Sequence, residues 1–485
     1  MTQPETSNPQ AATDAAPSWK LLFVDGNFPR LAILCLGVWL HAADATLVAT
    51  VMPVAVDEIG GVPFISWTIA LYELASIIAG AATGMLVVRF SLRGAMVAAA
   101  LVYALGCVAS AVAPDMAVML IGRSLQGLGG GGLVAASYVA IGQLFPEALW
   151  PRVMAAVSGV WGASAFCGPL IGGFFASIGL WRMGFWAFAA QAAVLAVAVM
   201  ILVALPRKGE SQDEAATFVP VGRLALLAAG ILAIAVAGSG VSIASATAYS
   251  LAGAGLLWLF LQRDGKARHS LFPRRPLSLD HWVGAGTVTV LAFATTTVSF
   301  FTYGPLLMKV LYGADPLTAG YIVTVESIAW TVAALAFASA SMRSEPLIIR
   351  AGSVAITLSV IGLAVTMPNG PLYALLPWVV LAGAGFGMCW GFIVRRVVSS
   401  ALEAEREKAA SGLPTMQLIG YAVGAALTGI VANTAGFADG VTRADAEVVG
   451  FWVFAAFLPL ALLGNLAAWR LTREPNRRQP SLEAA

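Results

Sequence analysis

Four ionisable side chains in apolar surroundings carry the chemistry of this sequence. Asp44 sits near the middle of RLAILCLGVWLHAADATLVATVMP (30–53), three residues after His41. Glu73 follows Tyr72 in a second apolar run, and Glu326 lies one turn before Trp330 in another. Arg123 opens the glycine-rich stretch MLIGRSLQGLGGGG (119–132). A carboxylate at the centre of a hydrocarbon span costs at least ~2.5 kcal/mol, so it faces a protein interior or a water-filled cavity. Burial disfavours the charged carboxylate and a nearby guanidinium favours it. A group held between these influences can bind and release a proton near neutral pH. Asp44, Arg123, Glu73 and Glu326 are therefore the candidate proton-coupling residues. A carboxylate beside an aromatic ring also suits a cationic or amphipathic substrate, through charge and cation–π contact. The candidate substrate contacts are His41, Tyr72, Gln126, Trp161 and Trp330. Trp39, Phe166, Trp390 and Tyr421 are further aromatics for such a cavity, although packing or lipid contact explains any one of them more simply.

Blander readings stand beside these. Asp44 and Arg123 can be a structural pair, or Arg123 can be satisfied by backbone carbonyls. Glu73 and Glu326 can be hydrogen-bonded structural acids. His41 shares a helix face with Asp44 and reads as its hydrogen-bonded neighbour before it reads as a proton relay.

Other chemistries find no residues. No phosphate-binding loop of Walker type, catalytic triad or metal cluster is present in the sequence, so neither an enzyme nor a cofactor is expected. Cys35, Cys107, Cys167 and Cys389 lie in apolar runs at unrelated spacings, which excludes a disulfide framework. The 485 residues are 59% hydrophobic and 11% charged, whereas soluble domains carry about 25% charge. The chain is polytopic in a membrane.

Apolar runs of helix-spanning length predict fourteen crossings: 30–53, 66–88, 94–113, 116–144, 150–179, 183–205, 221–240, 244–262, 282–307, 317–341, 346–367, 371–395, 407–433 and 449–470. Of the 27 Lys and Arg, only Arg182, Lys309 and Arg443 fall opposite the termini, while Arg89, Arg93, Arg207, Lys208, Arg274, Arg275, Arg395 and Arg396 fall with them. The positive-inside rule then makes both termini cytoplasmic. Residues 1–18 read as a disordered tail and 19–28 as an interfacial segment. The expected domains are a tail and interfacial segment (1–29), a six-helix bundle (30–206), a linker with two extra helices (207–281), a second six-helix bundle (282–471) and a tail (472–485). The basic loop 263–281 reads as a positive-inside loop touching anionic lipid.

Internal symmetry supports two halves. A shift of 253 residues brings Ser158-Gly159 onto Ser411-Gly412 and Glu73 onto Glu326, and places Asp44 on Thr297. The run GLGGGG (127–132) has a counterpart in GAGFG (383–387) at a shift of about 256. At about 1.5 Å per residue, Asp44 lies roughly 13 Å and the two glutamates roughly 10 Å from the outer ends of their spans. One layer in the outer half of the membrane is the expected result, with Glu73 and Glu326 on opposite walls of a central cavity.

Several stretches resemble the major facilitator superfamily, and more narrowly its fourteen-spanning drug:proton antiporter branch. Asp44, Thr46 and Pro53 in DATLVATVMP resemble that branch's first-span signature. Arg123, Gln126 and Gly127 match the family's GRSLQG-type motif, and LWRMGFWAF, with Trp181 and Arg182, resembles the start of the sixth span. Gly168, Pro169, Gly172 and Gly173 in CGPLIGG resemble the antiporter motif. The loop GMLVVRFSLRG keeps Gly84, Arg89 and Arg93 of the family's gating loop, but Val88 stands where the family has Asp and Ser91 where it has a second Gly. That departure puts the usual inner latch in doubt.

The resemblance implies an all-α major facilitator fold, two six-helix bundles plus two extra helices. It implies proton-coupled antiport of a small amphipathic or cationic compound by alternating access, in a bacterial inner membrane and as a monomer. A dedicated exporter of one metabolite, such as a siderophore, antibiotic or lipid, is the first alternative. A non-transporting membrane sensor is the second.

Overall fold

A computed structural model describes residues 19–24, 26–203, 219–240, 242–438 and 440–473, and these form helices and turns only. The expected tail over 1–18, the basic pair Arg207 and Lys208, and nearly all of the C-terminal tail lie outside the described residues.

The helices in chain order are α1 (Asn27–Ile59), α2 (Ile65–Ala111), α3 (Met116–Leu144), α4 (Trp150–Ser177), α5 (Trp181–Leu202), α6 (Val221–Ala237), α7 (Ile243–Gly265), α8 (Trp282–Tyr312), α9 (Pro316–Phe337), α10 (Glu345–Asn369), α11 (Leu376–Ser400), α12 (Arg406–Ala432), α13 (Arg443–Ala455) and α14 (Leu458–Leu471). Their starts follow local chemistry. Asp115 caps α3 by accepting from Val118 N, and Asp315 caps α9 by accepting from Leu317 N and Thr318 N. Thr442 and Asp445 form a reciprocal capping box on α13.

These helices do not map one-to-one onto the fourteen expected spans. Expected spans two and three are the two arms of α2, which break only at Ser91 (φ 66°, ψ 163°). The expected last span is divided between α13 and α14. Among the described residues, twelve stretches are long and apolar enough to cross a membrane, and α6, with 17 residues, is a shorter apolar helix.

Glycines set the packing, because a residue without Cβ lets backbones approach closely. In the N-terminal half, a Cβ on Gly168 or Gly172 of α4 would meet the α1 carbonyls of Ala43 and Leu47 at 2.5 and 2.6 Å. In the C-terminal half, a Cβ on Gly420 or Gly424 of α12 would meet the α8 carbonyls of Leu291 and Thr295 at 3.1 and 2.5 Å. A second pair of ladders repeats the pattern. Gly127 and Gly131 of α3 lie on the carbonyls of Tyr72 and Ser76, and Gly383 and Gly387 of α11 lie on those of Glu326 and Trp330. The halves thus repeat each other in backbone contacts, but not in the register of the 253-residue shift: Tyr72 and Ser76 answer to Glu326 and Trp330, and Ala43 and Leu47 to Leu291 and Thr295.

The two halves meet tightly at the end away from the termini. A Cβ on Gly173 would lie 2.7 Å from the Pro316 carbonyl, and one on Gly320 would lie 2.7 Å from the Pro169 carbonyl. Lys309 pairs with Asp57 and donates to Pro53 O at 2.7 Å. Asn433 donates to Pro63 O at 2.9 Å. Toward the terminal end the seam loosens: Ser158, Gly159 and Ser411 are exposed, and a Cβ on Gly159 would meet nothing within 4 Å.

The hairpin α6–α7 covers the seam between α2 and α12. Leu74 and Ile77 of α2, Leu227 and Ile231 of α6, Phe260 of α7, and Met416 and Ile419 of α12 form one apolar cluster. The segment after α7 is more than the expected basic loop on lipid. Asp264 pairs with buried Arg223 and accepts from Leu271 N and Phe272 N at 2.9 and 3.1 Å. This fold-back drives Phe272, 1% exposed, against Phe260 and Gly412. Lys408 of α12 then holds Ser270 at 3.1 Å. Burial of an aromatic ring and two satisfied carboxylate oxygens outweigh what solvation of this stretch would offer.

Candidate functional site

The site is built on α1, α2 and α3. The glycines of α3 bring its Arg123 face against both neighbours. Arg123 Nη1 donates to Asp44 Oδ2 at 2.8 Å, and both side chains are 0% exposed. The same nitrogen donates to Gln126 Oε1 at 3.1 Å, and Arg123 Nε donates to Thr68 O at 3.3 Å. Gln126 Nε2 donates toward Asp44 Oδ1 at 3.4 Å, and its Oε1 accepts from Ser110 at 3.1 Å. The guanidinium lies over the Tyr72 ring, 4.1 Å from its centroid. Thus an ion pair, an amide and an aromatic face form one unit, in which Asp44 is the charge partner of Arg123, Gln126 and the Thr68 carbonyl take two further hydrogen bonds, and Arg123 Nη2 is buried without a hydrogen bond.

His41 takes a different partner from the one its spacing suggests. Tyr72 donates to His41 O at 2.8 Å, and its oxygen lies 2.9 Å from His41 Nδ1. With the phenol proton used on the carbonyl, Nδ1 is the donor in the second contact. Sharing a helix face with Asp44 brought no bond to it, because the cross-helix hydroxyl is better placed. Gly130 makes the room, since a Cβ there would lie 2.8 Å from Nδ1. Trp161 of α4 meets the His41 ring edge-on at 5.8 Å and is 37% exposed. Of the expected substrate contacts, Trp161 faces open space, while His41, Tyr72 and Gln126 are buried in the network.

Glu73 lies on α2 and Glu326 on α9, and the pocket at Glu326 is lined by the C-terminal half alone, so it is not the expected cavity between the halves. Both are buried, and Oε2 of each has no hydrogen-bond partner. Glu326 borders a small pocket with the hydroxyl residues Thr296, Thr297, Ser299 and Ser359. Both carboxyls act electrostatically on Tyr421 of α12, whose hydroxyl receives a hydrogen bond from Gln417 at 3.0 Å. Trp330 stacks in parallel on Phe386 at 4.9 Å. Thr297, which the 253-residue shift places on Asp44, bonds only its own helix, to Phe293 O at 2.9 Å, and the backbone contacts that match Ala43 to Leu291 set Ala292, not Thr297, opposite Asp44. The charge pair is a property of the N-terminal half alone.

The motif glycines join the halves. Gly168 and Gly172 seat α4 on α1, while Pro169 and Gly173 of the same helix meet α9. The Pro169 carbonyl accepts from Thr50 at 3.1 Å, and Thr46 bonds Ala43 O at 3.1 Å. At the terminal end, Gly84 is half-buried, Arg89 is exposed with its guanidinium 5.4 Å from the Phe90 ring, and Arg93 is half-buried.

Two acids were missed because span one was expected to end at Pro53. α1 continues to Ile59, and Glu58 accepts from Trp181 Nε1 at 2.7 Å and pairs with Arg182 at 2.9 Å. The signal was present: the acidic pair Asp57-Glu58 lies on the face where Arg182 and Lys309 are two of the few basic residues.

The Major Facilitator Superfamily model matches residues 34–403. The chain is 29% identical over 464 residues to a probable multidrug-efflux transporter of Mycobacterium tuberculosis, an alignment covering 92% of this chain and 94% of that one. It is 23% identical over 300 residues to the multidrug efflux pump SdrM of Staphylococcus aureus, covering 61% and 66% of the two chains. Among solved structures, it superposes on an auto-inhibited POT family peptide transporter with a TM-score of 0.61 at 16% identity, covering 93% of this chain and 99% of that one. A bacterial homologue of the human lysosomal transporter Spinster, inward-facing and unoccupied, gives a TM-score of 0.61 at 12% identity, covering 93% and 97%. At these identities the structures speak for the fold alone.

Proposed function

Because the chain belongs to the major facilitator superfamily, we propose that it exports a small amphipathic or cationic compound in exchange for protons. It is a multi-pass membrane transporter, not an enzyme. The observation that carries the proposal is the Asp44–Arg123 pair, wholly buried and held by Gln126 beneath the glycine face of α3. A charge pair so far from water is costly to assemble, and membrane proteins keep such groups for ion pathways and coupling. The multidrug-efflux names of the relatives support the direction of transport.

Alternating access is proposed as rocking of α1–α5 against α8–α14. The tight seam at one end and the loose seam at the other correspond to one of its two states. Fourteen crossings are proposed, with both termini cytoplasmic in a bacterial inner membrane. The two arms of α2, 47 residues in all, sum to about 70 Å of helix, enough for two crossings of a ~30 Å core. Asp44, Arg123, Glu73 and Glu326 form the coupling set, and Trp161 and Trp330 are the aromatic contacts proposed for substrate. The fixed pair Glu73 and Glu326 also favours a second reading, a dedicated exporter whose one substrate matches them.

Purified protein in liposomes tests this. An acid-interior gradient should drive uptake of ethidium into vesicles, and collapsing the gradient should abolish it. Uptake indifferent to the gradient would exclude proton coupling. Transport of one compound from a chemically broad panel would select the dedicated exporter.

A further inference from the structure

The buried carboxyls of this bundle fall into two kinds. Asp44 has a guanidinium at 2.8 Å and an amide on its other oxygen. Arginine stays charged in proteins, and an unpaired buried charge is strongly destabilising. Asp44 is therefore held ionised by its partner, and the pair is neutral as a unit.

Glu73 and Glu326 are the opposite case. Each is buried, and each has an oxygen without a partner. Arg123 from α3 and Tyr421 from α12 act on Glu73, with Tyr72 on its own helix. The Arg123 charge is already matched by Asp44. No ion pair or hydrogen bond reaches the Glu326 carboxyl among the described residues; Tyr421 of α12 is a titratable group that bears on it, and α8 and α10 present hydroxyls. The α8 hydroxyls donate to their own helix, Thr296 to Ala292 O at 2.7 Å, Thr297 to Phe293 O at 2.9 Å and Ser299 to Thr296 O at 2.9 Å. An ionised carboxylate left like this faces a penalty far larger than that of the neutral acid. In the packing register Tyr72 is the counterpart of Glu326, since Gly127 of α3 packs on the Tyr72 carbonyl as Gly383 of α11 packs on that of Glu326, and Glu73 stands one residue further along its helix.

We infer that Glu73 and Glu326 are the protonated, exchangeable acids of this carrier, one in each half, and that Asp44 is ionised while it is paired with Arg123. The division of roles as proton carriers rests on the proton-coupled reading above; the protonation states do not. Each exchange step is a simple proton transfer: the carboxyl O–H bond breaks, the proton leaves to water, and a cationic substrate takes up the charge of the carboxylate.

Infrared spectroscopy of the purified chain at neutral pH tests the assignment without substrate. Carbon-13 labelling of glutamate carboxyls should shift the protonated-carboxyl band, and the same label in aspartate should leave it in place. Glu73→Gln and Glu326→Gln should each remove part of that band, and the double variant should remove the glutamate component. A band that follows the aspartate label, or survives the double variant, overturns the inference. Binding of tetraphenylphosphonium in weakly buffered solution should release protons from wild type and none from the double variant. Equal release from both would strike out the carrier role. A wild type that shows the glutamate band but no gradient-driven uptake would refute the proposed function and leave the protonation states standing.

Discussion

Lys309 of α8 reaches across to Asp57 of α1, and so joins the two halves of the bundle at the end away from the termini. The neighbouring Glu58 turns the other way, to Arg182 of α5 within its own half. One acidic dipeptide thus anchors α1 at home and latches it to its symmetry mate. The latch is partly exposed, so its worth is about 0.2–1 kcal/mol. That suffices to shift a balanced two-state equilibrium by up to about fivefold. Asp57→Lys is expected to favour opening of this end. A cysteine at Ser158, exposed on the loose side, should then react more slowly with a thiol reagent. Combining Asp57→Lys with Lys309→Asp should restore the rate, and a rate unaffected by either change would remove the latch from the gating cycle.

Ser91 holds a backbone conformation that is essentially reserved for glycine, φ 66° and ψ 163°. Such strain costs on the order of 1–3 kcal/mol. It falls where the family resemblance expects Gly, which identifies the reason for that glycine: α2 must break between its two arms. Ser91→Gly should raise the thermal unfolding temperature in detergent, and Ser91→Val should lower it. A Val variant as stable as wild type would show that the break has moved elsewhere.

Much of this arrangement was legible in the sequence, and its limits were physical. Apolar run length and the placement of Lys and Arg gave the helices, because lipid forces every backbone group to bond within its own segment. The Asp44–Arg123 pair was legible because two lone charges in apolar spans need each other. The partner of His41 was not, since spacing reports neighbours on one helix and the Tyr72 hydroxyl comes from another. The sharpness of the turn between the two arms of α2 was hidden because a serine does not announce a positive-φ break. The fold-back of 264–272 was hidden because its acceptor, Asp264, sits among basic residues that suggested a solvated loop.

The Arg223–Asp264 pair ties the α6–α7 hairpin to that fold-back. Removing one member of a buried pair costs about 3–5 kcal/mol, whereas replacing both with apolar groups is far milder. Asp264→Asn should therefore destabilise the protein more than the double change Arg223→Leu with Asp264→Leu. Thermal unfolding of the three variants measures this. Equal losses would mean that the backbone bonds to Leu271 and Phe272, and not the charge pair, hold the hairpin in place.

The equivalence of the halves makes a prediction that neither half makes alone. A Cβ on Gly131 would lie 2.4 Å from the Ser76 carbonyl oxygen, and one on Gly387 would lie 2.2 Å from that of Trp330. Both obstacles are backbone, so neither can swing aside; the helices must part, and the Glu73 or Glu326 wall moves with them. Gly131→Ala and Gly387→Ala should each lower thermal stability and substrate uptake to a similar degree. Gly159→Ala is the contrasting case, because its Cβ would enter open space and alanine favours a helix by about 1 kcal/mol over glycine. That variant should unfold at the wild-type temperature or above it. A large loss at Gly131 with none at Gly387 would show that only the N-terminal ladder is tightly seated, and that the carbonyl contacts of the two halves are alike in geometry but not in strength.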